Sequence, residues 1–142
     1  MPTSSYNKFQ DFSEQLAIGT HDMDGHVFKV MLTNSAPVAT NTIKSNITEI
    51  SAGNGYTAGG ATTTVTVSET TGTTTVQGTQ VSWTASGGSI GAFRYAVLYN
   101  DTSASDNLVA WFDYGSALTL ADGESLTIKF NNASPGTIFT LA

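Results

Sequence analysis

Residues 87–130 read GGSIGAFRYAVLYNDTSASDNLVAWFDYGSALTLADGESLTIKF, and this stretch decides the fold class. Phe93, Tyr95, Val97 and Tyr99 alternate with Arg94, Ala96 and Leu98. Leu108, Ala110, Phe112 and Tyr114 alternate with Val109, Trp111 and Asp113. Successive strand side chains point to opposite faces, so period-two patterning at this density predicts two strands. Between them, Asn100 to Asn107 is rich in residues that tolerate turns. The pair is therefore expected to be a hairpin with a large aromatic face.

Working outward, Leu118 and Leu120 lead into an Asp122-Gly123 turn signal, and Leu126, Ile128 and Phe130 alternate after it. Ile138 to Leu141 closes the chain as a further strand. Upstream, Gln80 to Ala85 forms a short strand carrying Trp83. Thr62–Thr70 and Thr73–Gln77 read as threonine-rich strands around a Thr71-Gly72 turn. Their apolar content is Val65, Val67 and Val76, which suits edge strands or a solvated sheet face. Gly53, Gly55, Gly59 and Gly60 mark a loop that approaches other backbone closely. Val27 to Leu32 reads as a strand, and Ile43, Ile47 and Ile50 are spaced for a short helical turn. In the segment 5–18, Phe9, Phe12 and Leu16 recur at helical spacing, with Ser4 or Ser5 as cap and Gly19 as stop. Short strands with turns at intervals of roughly 8–12 residues indicate a single mainly β domain. The expectation is a β-sandwich or jelly-roll-like barrel over 26–142, with an N-terminal helix or arm over 5–18 and one domain across 1–142.

Charged residues make up only 11% of the chain, against about a quarter in ordinary soluble domains, and Thr, Ser, Asn and Gly take their place. Net charge is −6, and Lys8, Lys29, Lys44, Arg94 and Lys129 do not cluster. A phosphate backbone or an anionic membrane needs a basic stripe, so neither nucleic acid nor membrane is expected as partner. The chain has no cysteine, which excludes disulfides, thiolate catalysis and Cys-ligated zinc. The start, MPTSSYNKFQDFSEQ, has neither a basic nor an apolar region, so no signal peptide is expected.

Candidate chemistry is sparse. His21-Asp22-Met23-Asp24-Gly25-His26 concentrates potential metal ligands. It lacks the further oxygen donors and distal Glu of a calcium loop, and its composition is also that of a solvated Asp-Gly turn, the preferred reading. Gly53-x-Gly55 has no following Gly-Lys-Ser/Thr and is not read as a phosphate loop. No serine sits in a Gly-x-Ser-x-Gly elbow, and nothing sets the spacing of Asp106 with Asp113 or Asp122 with Glu124. No catalytic residue, cofactor or metal is assigned, and the chain is not expected to be an enzyme. Both faces of Leu108–Tyr114 are apolar, more than a one-sided sheet requires. The surplus has two outlets, beneath the N-terminal segment or against another subunit. Phe9, Phe12, Leu16, Trp111 and Tyr114 are the candidate assembly contacts.

Several segments are similar to a family of small virion proteins of tailed bacteriophages. They are Asn7-Lys8-Phe9; Phe28 to Pro37; Ile47 to Ile50 with Gly53 to Tyr56; and Gly91 to Asp101 continuing through Trp111 to Gly115. The chain resembles their capsid decoration, or cement, type. The resemblance implies a structural protein made in the host cytoplasm and bound on the outer capsid. Its implied partners are the major capsid protein and further copies of itself. Thr62–Gln77 is the part least well matched. The alternative expectation is a tail- or fibre-associated module that recognises host surface glycans through Tyr and Trp, Trp83 and Trp111 among them.

Overall fold

The computed structural model of the chain describes residues 3–142. It is mainly β, in open antiparallel sheets. The aromatic hairpin forms its centre, as strands β7 (Ile90–Asn100) and β8 (Leu108–Leu120). β7 also pairs with β2 (Phe28–Thr33), from Phe28↔Asn100 to Thr33↔Tyr95. β3 (Ala61–Thr63) and β1 (Asn7–Lys8) complete a five-stranded sheet in the order β1-β8-β7-β2-β3. A three-stranded sheet has the order β10-β5-β4, from β4 (Val65–Thr70), β5 (Thr73–Gly78) and β10 (Gly136–Leu141). β6 (Val81–Thr84) and β9 (Ser125–Ile128) form a two-stranded sheet. The Asp122-Gly123 turn forms, but β9 leaves its sequence neighbour β8 and pairs with β6, placing Leu126 opposite Trp83.

The helix expected over 5–18 is corrected. Asn7 and Lys8 are extended and pair with Trp111 and Ala110, and only Phe12–Ala17 is helical, as α1. The reason lies at the sheet edge. β8 offers open backbone groups there, and pairing them orders Asn7–Phe9, with the Phe9 N–H on the Val109 carbonyl at 3.2 Å. Phe9 and Phe12 then lie in separate cores. The segment around Ile43–Ile50 contains one short 3-10 turn, Lys44–Asn46.

The larger core joins the sheets. Phe28, Val30, Leu32, Ala96 and Leu98 from the five-stranded sheet meet Val65, Val76 and Ile138 from the second and Val81 and Trp83 from the third. The smaller core lies on the other face of β7, built from Phe9, Met31, Val97, Tyr99 and Leu108 and backed by Ile47 and Trp111. A register shift between Leu98 and Tyr99 leaves Val109 without a partner on β7 and turns its side chain into the larger core. The five-stranded sheet is thus covered on both faces by its own chain.

The glycine-rich loop is held close to these strands. A Cβ on Gly60 would strike the Val30 carbonyl, and one on Gly55 the Thr84 carbonyl, as close approach by this loop requires. Tyr56 Oη donates to Glu49 Oε1 (2.7 Å) and accepts from the Leu32 N–H (3.0 Å). Glu49 Oε1 also accepts from the Gly59 N–H at 2.6 Å, and Tyr99 Oη donates to the Gly59 carbonyl at 2.6 Å.

Candidate functional site

A concavity of about 500 Å3 forms a groove beside the central hairpin. Phe93, Phe112, Leu118 and Leu120 contribute from β7 and β8, Leu126 and Ile128 from β9, and Phe130 and Tyr6 from flanking segments. Phe112 stands between Tyr6 and Phe130, with ring centroids 6.1 and 6.0 Å away. Burial pushes the Tyr6 phenol up to about 12, so it stays neutral and serves as an apolar wall with one polar tip.

Beside the groove the β7–β8 ladder is broken. Tyr95 pairs with Asp113 and Phe93 with Leu118, so Tyr114, Gly115, Ser116 and Ala117 have only Arg94 opposite them. They bulge out, and Tyr114 is 40% exposed. Arg94 holds the neck of this bulge with a two-pronged bond to Asp113, at 2.8 and 3.0 Å. The Gly115 N–H also donates to Asp113 Oδ1 at 2.8 Å, and Gly115 has φ +101°, a turn open to glycine. The guanidinium keeps the Asp113 carboxyl below the ordinary carboxylate range. Lys129 also lines the groove, and among the described residues it makes no ion pair.

The expected contact residues are separated. Phe9 is fully buried and Phe12 is 3% exposed, so neither is free to touch another subunit, and their assignment as contacts is corrected. Trp111 is half-buried, its ring 4.7 Å from Phe9, and packs on the smaller core. Leu16 is half-buried against the larger core, and only Tyr114 stands well exposed. Trp83 is 5% exposed and cannot stack on a sugar.

His21 and His26 are brought together, but on an amide. Asn100 is fully buried, and its Oδ1 accepts from the Thr102 and Ser103 N–H groups at 2.9 and 3.1 Å. That orientation turns Nδ2 toward Nδ1 of His21 (3.1 Å) and Nδ1 of His26 (2.9 Å). The His21 ring accepts at Nδ1, so it is neutral and carries its proton on Nε2. His21 Nε2 is buried without a partner. Burial and then the neighbouring His26 lower the His21 pKa to about 4, against a smaller opposing effect of Asp11. Asp22 Oδ1 accepts from the N–H groups of Asp24 (3.2 Å) and Gly25 (2.9 Å), which makes 21–26 a self-capped turn. Among the described residues no group of three or more His, Asp or Glu side chains is placed to hold a metal ion.

Sequence reasoning missed Asn100 as the centre of this clasp. The local signal was an Asn followed by Thr102 and Ser103, the pattern of a side chain capping its own turn. Comparison with known protein families, with curated proteins and with solved structures finds no match to the chain.

Proposed function

We propose that the chain is a non-enzymatic capsid decoration, or cement, protein of a tailed bacteriophage. It binds the outer surface of the head, bridges subunits of the major capsid protein, and associates with further copies of itself. The groove beside β8 carries this reading. Its walls are aromatic and aliphatic, and Arg94, Tyr114 and Lys129 add a few polar groups to the lining. Apolar walls with a few placed polar groups suit capture of a neighbour's chain segment. The resemblance to virion proteins adds support, because its segments include most of β2 and β7 and the first part of β8, the framework of the groove. The finer architecture belongs to the same proposal. The larger core draws residues from all three sheets, which supports a sandwich-like stacking.

A clamp of this kind stabilises a shell by occupying several subunits at once. Antibody labelling of purified particles tests it: label distributed over the heads is expected, and label confined to tails, or absent, overturns it. The tail-associated, glycan-binding reading keeps one supporting observation, Tyr114 and Tyr95 in the groove lining with Arg94. It loses Trp83 to the core. Saturable binding on a glycan array, abolished by Tyr114→Ala in a folded protein, would favour it.

A further inference from the structure

The threonine-rich hairpin has no role in the groove, yet its outer strand is unusually open. β4 is an edge of the order β10-β5-β4, and Thr66 to Thr70 are all exposed. Its turn has φ +48° at Thr71 and +87° at Gly72, the double positive φ of a two-residue hairpin loop. Such a loop closes on a hydrogen-bonded pair, here Thr70↔Thr73. Backbone groups then alternate: Thr70, Ser68 and Thr66 bond to β5, while Val65, Val67 and Glu69 point their N–H and C=O outward. Among the described residues no other segment takes up these outward groups.

The edge lacks the usual guards. Val65–Thr70 contains no Lys, Arg or Pro, and β4 pairs with β5 without a register shift. Its one charge is withdrawn, because Glu69 Oε1 accepts the Gly72 N–H of its own turn at 2.6 Å. Val67 is 37% exposed and stands in a row with Val76 and Phe139 across the sheet.

We infer that β4 is a self-association edge, pairing antiparallel with β4 of a second copy about a two-fold axis at Val67. This register uses every outward group of the strand. Val67 lies opposite Val67 of the second copy, and Glu69 lies opposite Val65, so no carboxylate meets another. The row Phe139–Val76–Val67 continues into its own mirror across the axis. A chain of net charge −6 repels its copies in general, and this strand, with Glu69 as its single charge, gives them a place to meet. The inference rests on the self-association part of the proposed function and names its surface.

In this register Thr66 faces Ser68 of the other copy at a non-hydrogen-bonded position, with Cα atoms about 4.5 Å apart, within disulfide reach. The chain has no cysteine of its own, so introduced thiols report cleanly. Thr66→Cys and Ser68→Cys proteins mixed under mild oxidation are expected to give a cross-linked dimer, and each alone none. Sedimentation equilibrium of the wild-type chain is expected to give twice 14.8 kDa, and Val67→Lys to halve that mass while keeping the wild-type circular dichroism spectrum. A monomeric wild type overturns both this edge and self-association. An oligomer that survives Val67→Lys, or cross-linking by one variant alone, overturns the edge or its register and leaves self-association standing.

Discussion

The His21–Asn100–His26 clasp makes stability fall on mild acidification. His21 lies between Phe12 and Phe28, at centroid distances of 5.1 and 6.2 Å, and its Nδ1 accepts from Asn100. A proton on Nδ1 would set two donors against each other and put a charge among these rings. His26 opposes that charge, and Asp11 alone favours it. The folded pKa is about 4, against 6.5 for the free side chain. Because the folded value is the lower, the unfolded chain takes up the proton first. The contribution is fully present above about pH 6.5 and is lost as pH falls toward about 4. Linkage over that shift removes about 2 kcal/mol between about pH 7 and pH 5. At about 2–4 °C per kcal/mol for a chain near this size, melting drops by about 6 °C.

Carboxylates do not mimic this window, because in the unfolded chain they titrate near the Asp value of 3.8, below it. The assay is thermal unfolding at both pH values for the wild type and His21→Asn, whose side-chain oxygen can replace Nδ1 as acceptor without titrating. The wild-type drop is expected to shrink by most of its size in the variant. Equal drops in the two proteins, or a His21 ring that titrates above pH 6 by NMR, would refute the reasoning.

Trp111→Ala is expected to cost about 2–4 kcal/mol in the isolated chain by opening the contact with Phe9; a denaturant midpoint equal to wild type would mean that Trp111 serves only contacts with other molecules. Tyr56→Phe leaves the buried Leu32 N–H without its acceptor and removes one of the two donors to Glu49 Oε1, for a loss of about 1–3 kcal/mol measured by urea unfolding. Gly60→Ala sets a side chain at φ +82° against the Val30 carbonyl and is expected to cost more than about 2 kcal/mol, or to abolish soluble expression. Tyr114→Ala leaves melting within about 1 °C, as an exposed bulge residue should, while reducing retention on purified capsids in a pull-down.

The hairpin was legible because period-two alternation is local and its turn lies between its strands. The same holds for the Thr71-Gly72 hairpin and for the close approach of the glycine loop. What escaped reading depends on partners distant in the chain. Phe9, Phe12 and Leu16 satisfy helical spacing, but the open edge of β8, about 100 residues away, draws Asn7–Lys8 into a ladder and puts Phe9 and Phe12 in different cores. The Asp122-Gly123 turn was visible, whereas the pairing of β9 with β6 was not, since no local pattern names a partner. The same limit hid the clasp, whose Asn100 lies 79 and 74 residues from its two imidazoles.

The surplus of aromatics on the central hairpin therefore changes meaning. One apolar face too many left two outlets, the N-terminal segment or a neighbouring subunit, and counting side chains alone does not choose between them. Register fills the face from within the chain: Tyr99 and Val97 face a second core roofed by Phe9 and Ile47, and Trp111 completes it. Large buried rings are the building stock of a small chain poor in Leu and Ile. Contacts with other molecules must then come from features the cores leave over. Two qualify on independent grounds: the Tyr114–Ala117 bulge, where four residues crowd one side of a ladder beside an apolar groove, and the β4 edge, where backbone groups point outward unguarded. The first can seat a foreign segment and the second can pair with its own kind. A chain with the proposed function, holding a shell and its own copies, would use both.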